Sequence, residues 1–322
     1  MNFAVIGVAG FVAPRHLRAI RDTGNRVVVT LDPSDSVGIL DQFSFQIRHF
    51  TEVERFDRHL EKLRRGPEDQ RVHWVSICSP NYLHDAHCRL ALRVGADVVC
   101  EKPLVINPWN LNPLQELEAE TGKRIRTILQ LRMHPDLLQA RKELLAAGKG
   151  NIHDVRLTYI TGRGPWYHVS WKGSEEKSGG IGTNIGIHFF DLLLWLFGEV
   201  VGARVYHNDG KRMGGFLELE RARVHWFLSV DVSDLPEEVR LGGRSTYRSI
   251  TIDGKELEFS EGFTDLHTRS YWEILAGGGS GIQDVRSSIE LAHRIRNAAL
   301  APLDDLAHPL LKRGALPGGD CR

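Results

Sequence analysis

Two patterns of apolar and polar positions divide the chain. In the first part, short apolar runs alternate with amphipathic helical stretches, which is typical of strands and helices built around a parallel sheet. The runs that predict strands are 3–6, 26–31, 75–78 and 97–100, and the stretches that predict helices are 13–23 and 83–94. In later stretches apolar and polar residues alternate, as in half-exposed antiparallel strands; these stretches are 154–164, 202–209, 216–230 and 247–259. The sequence therefore predicts an α/β protein.

The predicted domain boundary lies near Thr121 and Gly122, where a helical pattern ends. With 322 residues, the chain is long enough for two domains, predicted at 1–121 and 122–322. The elements predicted beyond the boundary are a strand at 124–132, a helix after Pro135, a segment at 263–275 that leads into a final helix, and a disordered tail at 316–322.

A glycine-rich turn follows the first strand. Gly7, Gly10 and Ala13 have the spacing G-x-x-G-x-x-A, so the backbone can turn sharply, approach a pyrophosphate and begin a helix that faces the anion. Asp32, 25 residues after Gly7, ends the second strand, where a carboxylate binds a ribose and repels a 2′-phosphate. The alternative is an ordinary βαβ turn without a cofactor. We predict that the turn binds NAD, through Gly7, Ala9, Gly10, Phe11, Val12 and Asp32.

Polar residues also follow the next two strands, at 79–81 and 101–103. Ligands of parallel sheets bind at the carboxyl ends of the strands, so these residues are candidates for the same cofactor. A lysine there, Lys102, can stabilise a developing alkoxide; the alternative is a solvated lysine at a strand end. The cofactor contacts predicted here are Ser79, Pro80, Asn81, His84, Glu101 and Lys102.

In the second part, a glycine-rich segment leads into a strongly apolar helix predicted at 189–197. His188 stands at the start of this helix, and Asn184 lies four residues before it. Neutral imidazole can accept a proton near pH 7, so His188 is a candidate general base. The alternative is a histidine at the edge of the core whose polar atoms are bound by the backbone.

Three motifs in this order carry a resemblance to a known family: SPNYLH (79–84), EKP (101–103) and GGIGTNIGIHFFD (179–191). The chain resembles the glucose–fructose oxidoreductase/inositol dehydrogenase family, often called Gfo/Idh/MocA. The resemblance implies an N-terminal Rossmann domain and a C-terminal α/β domain with an open, mostly antiparallel sheet that usually serves as an oligomer interface, here in a homotetramer. It also implies that Lys102 and His188 are catalytic.

Two departures from the family pattern point to a subgroup. His16 lies one residue later than the family's histidine, and Asn184 stands where an aspartate is common. These features, with the segments 10–20 and 262–286, resemble the bacterial subgroup that oxidises the 3-hydroxyl of UDP-N-acetylglucosaminuronate with NAD for lipopolysaccharide O-antigen biosynthesis. Asparagine in place of the acid would avoid repulsion of a substrate that carries a uronate and a diphosphate. The resemblance also implies 2-oxoglutarate as a possible oxidant of NADH.

The segments near these motifs supply candidate substrate contacts. Arginine binds carboxylate or phosphate in a bidentate manner, and aromatic rings suit a sugar face or a uracil ring. The alternative for residues 161–182 is a solvated loop, and for the segment around His267, Thr268 and Tyr271 it is ordinary capping and core packing. Predicted catalytic residues are Lys102, His188 and Asn184, and predicted substrate contacts are Arg163, Trp171, Lys172, Thr183, Asn184, His188 and His267.

Composition excludes several other classes. The 41 basic and 41 acidic residues balance, which argues against nucleic acid or an anionic membrane as a partner. Four cysteines have no metal-binding spacing, so no metal site is predicted. No run approaches the roughly 20 apolar residues of a membrane span, and the N-terminus lacks a signal pattern, so a cytoplasmic protein is expected.

The competing functions are another sugar or polyol dehydrogenase of the family and a non-catalytic NAD-binding regulator.

Overall fold

Strands and helices alternate along the first part of the chain, and a strand-rich part follows. The computed structural model describes residues 1–148, 150–257, 259 and 265–312, so the predicted tail at 316–322 lies outside the described residues. The strands are β1 Asn2–Ile6, β2 Arg26–Leu31, β3 Arg48–Phe50, β4 Trp74–Ile77, β5 Asp97–Cys100, β6 Ile125–Thr127, β7 His153–Thr161, β8 Val200–Asn208, β9 Arg212–Leu219, β10 Ala222–Ser229, β11 Thr246–Ile252 and β12 Lys255–Glu256. The α-helices are α1 Ala13–Asp22, α2 Val53–Arg65, α3 His84–Arg93, α4 Leu111–Thr121, α5 Pro135–Ala146, α6 Trp166–Val169, α7 Glu175–Ser178, α8 Ile187–Phe197, α9 Glu237–Leu241, α10 Leu266–Leu275, α11 Ile282–Arg296 and α12 Pro309–Lys312.

The described residues form two compact units. The first contains the chain up to His134 and a returning segment that ends at Arg286; the second contains the chain from Pro135 and the part that follows Arg286. These limits differ from the predicted division at residue 121. The physical reason is that β6 pairs in parallel with β5, and that α10 packs against α1 of the first unit.

The sheet of the first unit has the strand order β3-β2-β1-β4-β5-β6, and all its pairs are parallel within the described residues. Every residue of β1 is buried, as expected for a strand covered on both faces. The strand order reverses between β1 and β4, where doubly wound sheets bind their ligands. This topology confirms the predicted Rossmann domain.

In the second unit, the described strands form a sheet of order β12-β11-β7-β10-β9-β8. Only the pair of β7 and β10 is parallel among these strands, which confirms a mostly antiparallel sheet. The predicted helix at 189–197 is confirmed as part of α8, and Phe190 packs edge-to-face on the fully buried Trp226 of β10, with ring centroids 5.3 Å apart. The predicted strand at 124–132 is wrong beyond Thr127, because residues Gln130–Met133 form a 3-10 turn.

One helical stretch, Glu175–Phe197, is long and apolar enough to cross a membrane by length and composition. The most apolar window of this stretch is 78% buried inside the protein. Core helices of water-soluble proteins in general also meet these criteria of length and composition, because protein covers their apolar side chains.

Position 7 requires a glycine, because of its backbone conformation and because of the atoms that surround it. Its φ is +82°, and an added Cβ would lie 2.5 Å from the Ser79 nitrogen and 2.7 Å from the Cys78 oxygen. Gly24 has a similar φ of +74°, but no heavy atom lies within 4 Å of its would-be Cβ. We expect Gly7→Ala to lower the free energy of unfolding by about 2–5 kcal/mol, and the control Gly24→Ala by about 1–2 kcal/mol. Urea titration measures both, and equal losses would contradict the steric argument.

Candidate active site

Four polar turns come together at the carboxyl edge of the first sheet. They follow β1, β2, β4 and β5, and parallel pairing places these strand ends side by side. Main-chain hydrogen bonds continue just past the strands, from the Gly7 nitrogen to the Leu31 oxygen at 2.8 Å and from the Glu101 nitrogen to the Ile77 oxygen at 3.0 Å. The turns after β1 and β4 touch at Gly7, so the turns that carry the predicted cofactor residues lie together at this edge.

Asp32 ties the glycine loop to the end of β2. One carboxylate oxygen accepts a hydrogen bond from the Ala9 nitrogen at 2.9 Å, and the other accepts one from the Ser34 nitrogen at 2.9 Å. Beyond the loop, α1 begins at Ala13. A tight glycine turn, a helix N-terminus and a carboxylate at the next strand end are the groups that a dinucleotide requires, so the residues present fit NAD.

Asp32→Asn should weaken NAD binding by about tenfold and narrow the preference for NAD over NADP, because charge-assisted hydrogen bonds to a ribose and repulsion of a 2′-phosphate are both lost. Asparagine keeps an oxygen that can accept from Ala9, so the loop retains its support. Calorimetric titration with both cofactors measures the effect. The control is Asp22→Asn, at an exposed carboxylate beside Arg21. An unchanged preference in Asp32→Asn would show that Asp32 does not select the cofactor.

His84 joins the turn after β4 to the turn after β5. Its two ring nitrogens lie 2.9 Å from the Ser79 carbonyl oxygen and 2.7 Å from the Pro103 carbonyl oxygen. Burial lowers the pKa of His84, although both carbonyl contacts raise it. The Ser79 hydroxyl lies 2.9 Å from Nδ1 of His87, whose pKa burial lowers to about 4. These contacts fix the backbone from which Pro80, Asn81 and Lys102 extend.

Glu101 is buried at the end of β5 and contacts two histidines. Its Oε1 lies 2.9 Å from Nε2 of His16 and 3.1 Å from Nε2 of His267. Burial would raise the pKa of Glu101, but the hydrogen bonds from the two imidazoles outweigh burial and hold it well below its usual range. Oε2 accepts a hydrogen bond from the main-chain nitrogen of Lys102 at 3.3 Å. Lys102 itself is half-buried.

The ligand atoms of His16, Glu101 and His267 all lie within 4.8 Å of one another, as those of a metal site would. The nitrogen–oxygen distances of 2.9 and 3.1 Å are also those of ordinary hydrogen bonds to a carboxylate. The remaining nitrogen of His16 lies 2.8 Å from the Tyr271 hydroxyl, which continues a hydrogen-bonded chain. We therefore describe the group as a hydrogen-bonded cluster.

In the second unit, the glycine-rich segment before α8 forms a π-helical turn, Gly182–Gly186. This kind of turn is frequent at functional sites. Asn184 lies inside the turn and donates a hydrogen bond to the Tyr167 hydroxyl at 3.2 Å. His188 is half-buried in the first turn of α8. The local structure thus presents the two predicted catalytic residues of this unit one turn apart.

Thr183 packs closely against Gly179. Gly179 has a φ of +81°, and a Cβ there would lie 2.5 Å from the Thr183 Cβ. The Thr183 hydroxyl is buried and has no hydrogen-bond partner among the described residues. A substrate hydroxyl or a water molecule is the kind of group that would satisfy it.

Positive charge and aromatic rings lie together in the segment before α7. The Lys172 ammonium lies 4.5 Å from the ring centroid of Trp171 and 5.9 Å from that of Trp166. Burial, and then repulsion from Arg163, lower the pKa of Lys172. Arg163 is exposed, and its main-chain nitrogen donates to the Val230 oxygen at 2.9 Å. An anion would relieve the repulsion between the two cations.

The structure therefore gathers the predicted residues into two groups, one in each unit. His267 is the exception, since it belongs to the first unit and its Nε2 already contacts Glu101. Its predicted substrate contact stays a prediction. The sequence did not identify Ser76, which contacts Tyr271, or His87, which contacts Ser79, as residues that support these groups. A serine inside an apolar strand and a histidine inside a helix belong to no motif.

Comparisons with known proteins agree with this arrangement. The Gfo/Idh/MocA family model, an oxidoreductase family with an NAD-binding Rossmann fold, matches residues 1–128. The model of that family's C-terminal alpha/beta domain matches residues 142–234.

Two solved structures are similar over nearly the whole chain. One is the WlbA (WbpB) dehydrogenase from Thermus thermophilus in complex with NAD and alpha-ketoglutarate, at 50% identity over 97% of this chain and 100% of that chain, with a TM-score of 0.92. The other is the WlbA (WbpB) dehydrogenase from Thermus thermophilus in complex with NAD and UDP-GlcNAcA, at 49% identity over 96% and 98% of the two chains, with a TM-score of 0.91.

Among curated relatives, D-glucoside 3-dehydrogenase from Escherichia coli is 30% identical over 46% of this chain and 44% of its own length. The match thus spans less than half of that relative. The two family models together match most of the chain, at residues 1–128 and 142–234. This chain belongs to the Gfo/Idh/MocA family of oxidoreductases, and its first unit is the NAD-binding Rossmann domain of that family.

Proposed function

We propose that the protein oxidises the 3-hydroxyl of UDP-N-acetylglucosaminuronate to the 3-keto sugar, with NAD as the oxidant. The observation that carries this proposal is the similarity, over nearly the whole chain, to a WlbA (WbpB) dehydrogenase in complex with NAD and UDP-GlcNAcA. The product would serve the biosynthesis of di-N-acetylated uronic acids for O-antigen. A cytoplasmic location and a homotetramer belong to the same proposal.

In this proposal, NAD supplies the hydride acceptor and the protein supplies orientation, charge and proton transfer. Gly7, Gly10 and Asp32 hold the dinucleotide at the carboxyl edge of the first sheet. The Lys102 ammonium stabilises the negative charge that develops on the sugar oxygen as its proton leaves. The His188 imidazole accepts that proton.

The second unit offers groups suited to an anionic sugar nucleotide. Arg163 and Lys172 supply positive charge, and Trp171 supplies a flat ring beside the Lys172 ammonium. Asn184 and Thr183 present an amide and a hydroxyl next to α8, suited to orient the sugar or the imidazole. We assign them to substrate binding because a uronate and a diphosphate need cations and hydrogen-bond donors without an added carboxylate.

The test is turnover by the purified protein, followed as the absorbance of reduced nicotinamide. We expect NAD reduction with UDP-N-acetylglucosaminuronate, and much less with UDP-N-acetylglucosamine, myo-inositol or glucose. Turnover of a neutral sugar or of inositol alone would favour another dehydrogenase of the family. NAD binding without turnover of any compound would favour a regulator.

The assay should be run with and without 2-oxoglutarate. One similar structure contains alpha-ketoglutarate together with NAD, so we propose 2-oxoglutarate as the compound that re-oxidises NADH on this protein. Enzyme purified with bound NADH would show turnover only when 2-oxoglutarate is present. Formation of 2-hydroxyglutarate, measured by mass spectrometry, gives a direct readout.

Asn184→Asp should raise the KM for UDP-N-acetylglucosaminuronate by about tenfold, because a carboxylate near the reacting hydroxyl repels an anionic substrate. The KM for the neutral-sugar analogue UDP-N-acetylglucosamine should rise less. Steady-state kinetics with both compounds measure the difference. Asn151→Asp, in an exposed loop, is the matched control for the added charge. An unchanged KM for the uronate would contradict the electrostatic explanation of Asn184.

A further inference from the structure

A chain of buried polar groups runs through the first unit and ends at Glu101. The Ser76 hydroxyl lies 2.6 Å from the Tyr271 hydroxyl, which lies 2.8 Å from Nδ1 of His16. Nε2 of His16 lies 2.9 Å from Oε1 of Glu101. Ser76, His16 and Tyr271 are each 0% exposed, so these groups rely on one another for hydrogen bonds.

The chemistry of the groups fixes the direction of each hydrogen bond. An ionised Glu101 only accepts, so Nε2 of His16 carries a proton and donates it. Burial lowers the pKa of His16, although Glu101 raises it, and the lowered pKa favours a neutral imidazole whose Nδ1 is an acceptor. The Tyr271 hydroxyl must then donate to Nδ1 and accept from Ser76. One arrangement of protons satisfies all four groups.

Glu101 connects this chain of hydrogen bonds to the main chain of Lys102. Its Oε1 accepts from His16 and His267, and its Oε2 accepts from the Lys102 nitrogen at 3.3 Å. The carboxylate is thus held at both oxygens, and the Lys102 main chain is held by the carboxylate. A lysine that must reach one substrate oxygen benefits from a fixed backbone, since small displacements of a reacting group lower the rate steeply.

Two members of the cluster come from far along the sequence. His267 and Tyr271 lie four residues apart on α10, and therefore on one face of that helix. This helix packs against α1, which carries His16 at a fully buried position. The returning segment thus completes a polar site that the first 134 residues would leave with open hydrogen bonds.

We propose that His16, Tyr271 and Ser76 are positioning residues, which act through Glu101 to hold Lys102 in the place from which it reaches the substrate. The proposal rests on the proposed function, because that function gives Lys102 its role. Tyr271→Phe is the sharpest probe, since it removes one oxygen from the middle of the chain. The matched control is Tyr206→Phe, because Tyr206 is a buried residue of the second unit and its hydroxyl donates to Asp304 at 2.6 Å.

The first measurement uses the protein without added substrate. Nitrogen-15 NMR of the histidine rings should show His16 as the neutral Nε2–H tautomer, with the shift of a hydrogen-bonded Nδ1 acceptor. Tyr271→Phe should remove that Nδ1 signature, and Tyr206→Phe should keep it. An Nδ1–H tautomer, a doubly protonated His16, or a stoichiometric metal ion in the purified protein would overturn the proposed chain. This result does not depend on the substrate, so it stands apart from a failure of the proposed function.

The second measurement is kinetic. Tyr271→Phe should lower kcat by about tenfold, as expected for one lost buried hydrogen bond, while KM for the sugar and Kd for NAD stay within about twofold of the parent values. Ser76→Ala should shift kcat in the same direction by less, and it serves as the probe if Tyr271→Phe does not fold. An unchanged kcat in both variants, or a loss confined to NAD affinity, would refute the positioning role.

Discussion

Lys102→Met should lower kcat/KM for the sugar nucleotide by about a thousandfold or more while NAD still binds. Methionine keeps the length and the apolar stem of lysine but has no ammonium to stabilise charge on the sugar oxygen. Electrostatic and acid–base groups of this kind each contribute factors of about 10²–10⁴. Glu101 contacts His16 and the main-chain nitrogen of Lys102, and neither contact involves the Lys102 ammonium. The carboxyl edge of the first sheet should therefore remain intact. Stopped-flow absorbance and calorimetric titration with NAD measure the two quantities.

Lys62→Met, on the exposed face of α2, is the control for losing a lysine charge. Its activity should equal that of the parent protein. If Lys102→Met lost NAD affinity in proportion to its activity, Lys102 would be a cofactor contact and no more. If it retained more than about a tenth of the parent kcat, the role proposed for the ammonium would be wrong.

Much of the first unit could be predicted from local patterns. The strand–turn–helix unit from β1 to β2 is recognisable because apolar runs are short, glycines stand at the turn, and α1 buries one face. The strand predicted at 124–132 failed for a physical reason. Leu129 and Leu131 are buried like strand residues, but they lie in and beside a 3-10 turn that follows the short β6. Apolar periodicity reports burial, and over a few residues it does not distinguish these conformations.

The candidate site was predictable only where its residues lie in motifs. Lys102 and His188 each follow a recognisable element, a strand end and a glycine-rich segment. The cluster around Glu101 was not predictable, because it joins positions 16, 76, 101, 267 and 271, which meet only through tertiary packing. Likewise, the π-helical turn at Gly182–Gly186 depends on hydrogen bonds that no residue type in the segment demands. Local propensity gives the elements, and long-range contacts decide how polar groups are paired.

His188→Asn is the second substitution with a large expected effect. Asparagine keeps a polar side chain of similar reach but cannot accept and carry a proton near neutral pH. We expect kcat to fall by about 10²–10⁴-fold, with NAD affinity unchanged because His188 is not among the residues predicted to bind the cofactor. In the parent protein, kcat should rise with pH as the imidazole loses its proton and then reach a plateau, since only the neutral base accepts. The variant should lack that rising limb, and a pH series of initial rates measures both properties.

The control for His188→Asn is His59→Asn, since His59 is also half-buried on a helix but packs at a tilt against Phe50 in the first unit, with ring centroids 5.1 Å apart. That variant should keep the parent pH profile. Persistence of the rising limb in His188→Asn would assign the proton to another group, even if kcat fell. A crystal structure with NAD and the sugar nucleotide would decide the matter independently, because Lys102 and His188 must both reach the oxygen on the carbon next to the nicotinamide. If either side chain lay beyond hydrogen-bond distance of that oxygen, and no water bridged the gap, the roles proposed for the Lys102 ammonium and the His188 imidazole would be wrong.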